Sequence, residues 1–165
     1  IDLKAIDQTW TVGYIREATG GLRIKEGPGP TLTVRGDIDD VAFIIRVLNS
    51  WLQRKAEAAL GEWLRTLGQE LSIAFNRVTI RRQKTLWGSC SGKKNINLNR
   101  NLLFLTKNMA RYVLVHELCH VKQPNHSGAF WSLVDRYVRN SKEMSARVRK
   151  AGDSVPDWAN SRSFK

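Results

Sequence analysis

His116, Glu117 and His120 lie in the stretch "YVLVHELCHVKQPNHSGAFW", which also holds His126 and so contains every histidine of the chain. Helical residues four apart stand one turn above each other, with Cβ atoms roughly 5–6 Å apart. Two imidazoles at that spacing can both reach one zinc ion at about 2.0–2.1 Å. Glu117, rotated to the side, can reach a water in the open position of that ion. Zinc lowers the pKa of such a water toward ~7, so the H-E-x-x-H pattern predicts hydrolysis with Glu117 as general base. A catalytic zinc also needs a third protein ligand. His126 follows His120 by six residues, across Pro124 and Asn125, which end the helix and turn the chain. The spacing is that of H-E-x-x-H-x-x-G-x-x-H, with Gln123 in place of the glycine. Asp135 and Glu143 remain carboxylate alternatives for the third position. Cys119, between the two helical histidines, is expected to be a small core residue.

A helix must carry the pair, and Val113, His116, Glu117, His120 and Val121 share helical spacing from near Asn108 to just before Pro124. Ser127 can cap a following helix bearing Phe130, Trp131, Val134 and Tyr137, and Asn140 with Glu143 reads as the capping box of another. Upstream, "RVTIRR", "TLWGSC" and "NINLN" read as three short strands. "GSCSGKK" looks like a phosphate loop but puts three residues between its glycines and Lys94 where Ser or Thr is required, so it reads as a hairpin turn. Apolar residues recur from Val41 to Leu67, predicting one long amphipathic helix capped by Asp37 or Asp39 and closing near Gly68. "TWTVGYIREA", "GLRIKE" and "TLTVRG", separated by "TG" and "GPGP", alternate like the strands of a small antiparallel sheet. One domain is expected over residues 1–150, with strands in 1–36, a long helix in 39–68 and a catalytic core in 74–150. Residues 151–165 read as a tail.

The charge balance adds a second theme. There are 27 basic and 15 acidic side chains, a net charge of +12, and no Asp or Glu occurs between Leu71 and His116. Such a one-signed field draws in polyanions. DNA or another polyanion is the expected partner, through Arg81, Arg82, Lys84, Lys93 and Lys94. Six tryptophans and a 42% hydrophobic content indicate a folded protein, and no apolar run approaches the length of a membrane span. Cys90 and Cys119 form no C-x-x-C pair, and the first residues do not read as a signal peptide, so a reducing, cytoplasmic setting is expected.

Trp87 to Cys90, Leu98-Asn99, His116 to His120 and Asn125 to Trp131 together resemble the YgjP-like family of zinc metallopeptidases. That family pairs a W-G-S-C strand and an L-N strand with H-E-L-x-H and a downstream N-H-S-x-x-F-W. The resemblance implies a zincin-like α+β fold, Zn2+ held by His116, His120 and His126, and Glu117 as general base. It also implies a peptide or protein substrate lying along the sheet, for which Trp87, Gly88, Ser89, Asn97 and Asn99 are the candidate contacts. Leu86 stands where the family usually has Arg, and Thr106 where it usually has Pro. The family is distantly similar to SprT and Spartan proteases, which cut proteins bound to DNA. The competing function is a nucleic-acid-binding module with a structural zinc, which four protein ligands rather than three would normally close.

Overall fold

Leu32 and Val34 are fully buried on alternate positions of the strand Thr31–Gly36, and that pattern makes this strand the centre of its sheet. The computed structural model describes residues 1–17 and 21–160. The chain opens with β1 (Asp2–Leu3), β2 (Gln8–Thr9), β3 (Thr11–Arg16), β4 (Arg23–Glu26) and β5 (Thr31–Gly36). β1 and β2 pair with each other, and the remaining three lie in the order β3-β5-β4. β3 runs parallel to β5 and β4 antiparallel to it, so the sheet is mixed rather than antiparallel as expected. Burial accounts for the order of the strands: each outer strand has a single half-buried apolar residue on its inner side, while β5 covers the core with two. The expected "TG" turn falls outside the described residues.

α1 (Val41–Glu70) is the long helix, and its cap is Asp40, whose Oδ1 accepts from the Phe43 amide at 2.8 Å. Neither expected cap serves: Asp39 pairs with Arg16, and Asp37 accepts from the Asp39 amide. The inner stripe of α1, from Leu48 through Trp51, Leu52, Ala56, Leu60 and Leu64, is buried. Trp51 donates to Glu26 at 2.9 Å and Lys55 pairs with the same carboxylate, pinning the first sheet to the helix.

The second sheet holds β6 (Arg77–Arg81), β7 (Gly88–Cys90) and β8 (Asn95–Asn99) in the order β6-β8-β7. "NINLN" is therefore the central strand and not an edge, and "TLWGSC" contributes only Gly88–Cys90, which is an edge. Ile96 and Leu98 of β8 pair with Val78 and Ile80 of β6, and with Cys90 and Gly88 of β7. Cross-strand partners share a face, so these residues face α1 and α2 (Lys107–Lys122), while Arg77, Thr79, Arg81, Ser89, Asn95 and Asn97 face the other way. α2 is followed by α3 (Gly128–Tyr137), α4 (Ser141–Arg149) and α5 (Asp157–Asn160). Ser127 caps α3 as expected. Asn140 does not form a capping box: it is left-handed, with φ 57°, and makes no side-chain cap bond. The stretch expected as a tail is folded as far as Asn160. Ala151, Val155 and Ala159 are buried, and Arg100 beneath them donates to carbonyls of both Asn49 and Ala159. The fold is mixed α+β, and among the described residues no helix is long and apolar enough to cross a membrane.

Candidate metal centre and active site

Thr106 starts the helix that carries the chemistry, its Oγ1 accepting from the Met109 amide at 3.5 Å. From that start, helical spacing turns Leu114, Val115 and Leu118 into the core and leaves His116 and His120 at its margin. Their Nε2 atoms are 3.2 Å apart. α2 stops at Gln123, whose backbone is extended ahead of Pro124, and the turn that follows brings His126 back until its Nε2 lies 3.1 Å from that of His116. The ligand atoms of the three histidines all lie within 4.8 Å of one another, and no other group among the described residues converges in this way.

The rings are held from behind. His120 Nδ1 is 3.1 Å from the Gln123 carbonyl oxygen, which fixes the tautomer with Nδ1–H and leaves Nε2 with a free lone pair. His116 Nδ1 is 3.4 Å from the Tyr112 hydroxyl, one helical turn earlier. Phe130, fully buried, stacks on His120 at 4.4 Å and meets the edges of the other two rings. Burial, with help from its two neighbours, pushes His116 down to about 4, and burial also lowers His120. Both are therefore neutral at pH 7, the form that binds a metal. Sequence reasoning misses Tyr112 and Phe130 as parts of the site; the four-residue step from Tyr112 to His116 is the signal that could have found the first.

Glu117 is 5% exposed, and burial pushes its carboxyl up to about 8. Its Oε2 has no hydrogen-bond partner. Gly88 of β7 lies directly against it. A Cβ at Gly88 would sit 2.7 Å from both Cγ and Oε1 of Glu117, so the glycine of W-G-S-C exists to let the carboxylate approach the strand. Cys119 is buried and its thiol is pushed up to about 12 by that burial, as a core residue rather than a thiolate.

The YgjP-like metallopeptidase domain family matches residues 9–151. The chain belongs to that family. A metal ion is thus its cofactor, and the donor set suits one: three imidazole nitrogens around a tetrahedral ion at ~2.0–2.1 Å stand roughly 3.3–3.4 Å apart, close to the two spacings from His116 to its neighbours, while the third pair lies within 4.8 Å. Among solved structures, the metallopeptidase zymogen of Pyrococcus abyssi abylysin is 28% identical, with a TM-score of 0.48 over 55% of this chain and 91% of that one. The zymogen of Methanocaldococcus jannaschii jannalysin is 22% identical, with a TM-score of 0.47 over 55% and 93%. No curated protein matches the chain.

The other residues that the family resemblance brought forward fall into separate places. Asn99 donates to the carbonyls of Gln83 and Leu86, each at 2.9 Å, and Trp87 donates to the Val148 carbonyl at 3.0 Å. Both are occupied in holding the connection from β6 to β7. Ser89 accepts from Asn97 at 3.2 Å on the face turned away from Glu117. Asp135 accepts from Ser141 at 2.5 Å and borders a depression with Glu143, so neither joins the histidines. The five expected polyanion contacts do not gather. Lys93 and Lys94 sit in the β7–β8 turn, where the Lys94 carbonyl accepts from Asn76 beside Arg77. Arg81, Arg82 and Lys84 are at the opposite end, one strand length of roughly 13 Å away at about 3.3 Å per residue.

Proposed function

We propose that the protein is a zinc-dependent endopeptidase in which His116, His120 and His126 hold the ion and Glu117 is the general base. The convergence of three Nε2 atoms beside a buried carboxylate supports this most. Zinc held there would polarise the scissile carbonyl and acidify the attacking water. Glu117 takes the proton of that water and returns it to the leaving nitrogen. Its burial raises its proton affinity, as a base requires, and the charge of an ion held by the histidines would favour its ionised form. The outer edge of β7, unpaired among the described residues, can receive substrate as an added strand. Cys90 and Cys119 remain thiols, which suits a reducing, cytoplasmic setting.

The deciding experiment compares wild type with Glu117→Gln on a quenched fluorescent peptide, with and without a chelator. Glu117→Gln should keep its zinc and lose nearly all hydrolysis, since an amide can hold the water but cannot accept its proton. An unimpaired variant removes Glu117 from the mechanism. Chelation without effect removes the metal.

One observation favours an association with DNA. The outward face of the second sheet carries Arg77 and Arg81 among Thr79, Ser89, Asn95 and Asn97, without a carboxylate. The alternative of a structural zinc in a nucleic-acid-binding module has less behind it, because no fourth ligand joins the histidines among the described residues.

A further inference from the structure

The connection that leads into β7, residues 82–87, forms one wall of a cleft, and the C-terminal segment 149–160 forms the other. Two adjoining cavities, of about 200 and 370 Å³, share Gln83, Lys84, Asn101 and Asn160 in their linings. Trp87 lines its near end, one residue before the Gly88 that touches Glu117, and Arg82 lines its far end. The bonds from Asn99 to Gln83 and Leu86, and from Trp87 to Val148, fix this wall in advance of any ligand.

The charge of the cleft has one sign. Arg82, Lys84 and Arg149 line it, and among the described residues no Asp or Glu does. None of the three forms an ion pair among the described residues. Beneath them lies Arg100, 4% exposed, whose hydrogen bonds go to Asn49 and Ala159 and never to a carboxylate. Burial, then the nearby charge of Arg82, pulls Arg100 down to about 10, and burial lowers Arg82 as well. Charges buried without a counter-ion are costly, so an anion between these walls would relieve both.

Unpartnered atoms narrow the choice of anion. Arg82 Nη2 and Arg100 Nε are buried donors without an acceptor, while Gln83 Oε1 and Asn101 Oδ1 are buried acceptors without a donor. A phosphodiester offers oxygens but no N–H. A peptide offers a carboxylate together with amide N–H groups and so can answer donors and acceptors alike. We propose that the cleft between residues 82–87 and 149–160 binds a carboxylate of the peptide substrate, either an Asp or Glu side chain or the α-carboxylate of a chain end. The proposal rests on the peptidase function above and gives it a substrate class. Substrate paired with β7 and passing Trp87 would carry its anionic group to one side of the cut bond, into this cleft.

The test uses matched quenched fluorescent peptides with a single Glu or Gln scanned along both sides of the cut bond, each ending in a free acid or an amide. Charge-assisted hydrogen bonds predict that kcat/KM rises about tenfold to hundredfold for Glu over Gln at one position, or for free acid over amide. The two arms tell a side chain from a chain end. Arg82→Gln/Lys84→Gln, and separately the exposed pair Lys84→Gln/Arg149→Gln, should abolish that preference and leave cleavage of the neutral amide peptide unchanged. A wild type that cuts Glu and Gln peptides alike, or a preference that survives both variants, overturns the proposal. Anisotropy binding of the same peptides to zinc-loaded Glu117→Gln separates the two claims. Selective binding without any cleavage leaves the cleft and removes the peptidase function. Absent binding, or displacement only by an oligonucleotide, removes the cleft.

Discussion

The imidazoles at the centre come from two places in the chain. His116 and His120 are fixed by one helix, whereas His126 reaches them from a turn and is exposed. His116→Ala, His120→Ala and His126→Ala should each lose most of the bound zinc, measured as metal per chain, because a catalytic site normally needs three protein ligands. Asp135 is bonded to Ser141 and neither it nor Glu143 joins the histidines, so full occupancy in His126→Ala would contradict the proposed triad. Gly88 gives a sharper test. Gly88→Ala puts a methyl 2.7 Å from the Glu117 carboxyl, so zinc should stay bound while kcat falls about 10–100-fold, as misplacement by an ångström commonly costs. Normal turnover in that variant would mean that the carboxylate has room to spare.

Elements deliver these residues, and α2 depends on a cap that the usual family residue could not supply in this way. Thr106, standing where the family has Pro, accepts from the Met109 amide. The bond is long, so Thr106→Ala should lower stability by about 0.5–1 kcal/mol, read as a denaturation midpoint, with kcat per folded molecule unchanged. The helix and its two histidines are legible in the sequence because spacing of 3.6 residues per turn is a local property. Sheet order is not: β5 and β8 become central through pairing with strands far along the chain, and alternation alone cannot say which strand lies between which. Asp40 over Asp37 or Asp39, and Asn140 as a left-handed residue rather than a cap, are also beyond reach. Each depends on the direction in which the chain enters the helix. The C-terminal stretch reads as a tail because Val155 and Ala159 are too sparse to show periodicity, yet Arg100 and α1 hold them.

For the whole molecule, the excess of positive charge is divided by the second sheet into two ends. Lys93→Glu/Lys94→Glu removes one end only. If the outward face binds DNA, this variant should weaken binding and flatten its dependence on salt by roughly one unit of logarithmic slope for every phosphate it no longer neutralises. Zinc content and cleavage of a neutral peptide should not change. A wild type without salt-sensitive binding near physiological ionic strength would leave the peptidase acting on its own. The clamp on Arg100 carries a consequence for the order of synthesis. Its acceptors belong to residues 49 and 159, so a growing chain has made all three histidines and Glu117 well before the last acceptor exists. Until Ala159 emerges, the buried Arg100 guanidinium lacks part of its hydrogen-bond shell, so the packing around residues 149–160 is completed after the histidines have been made.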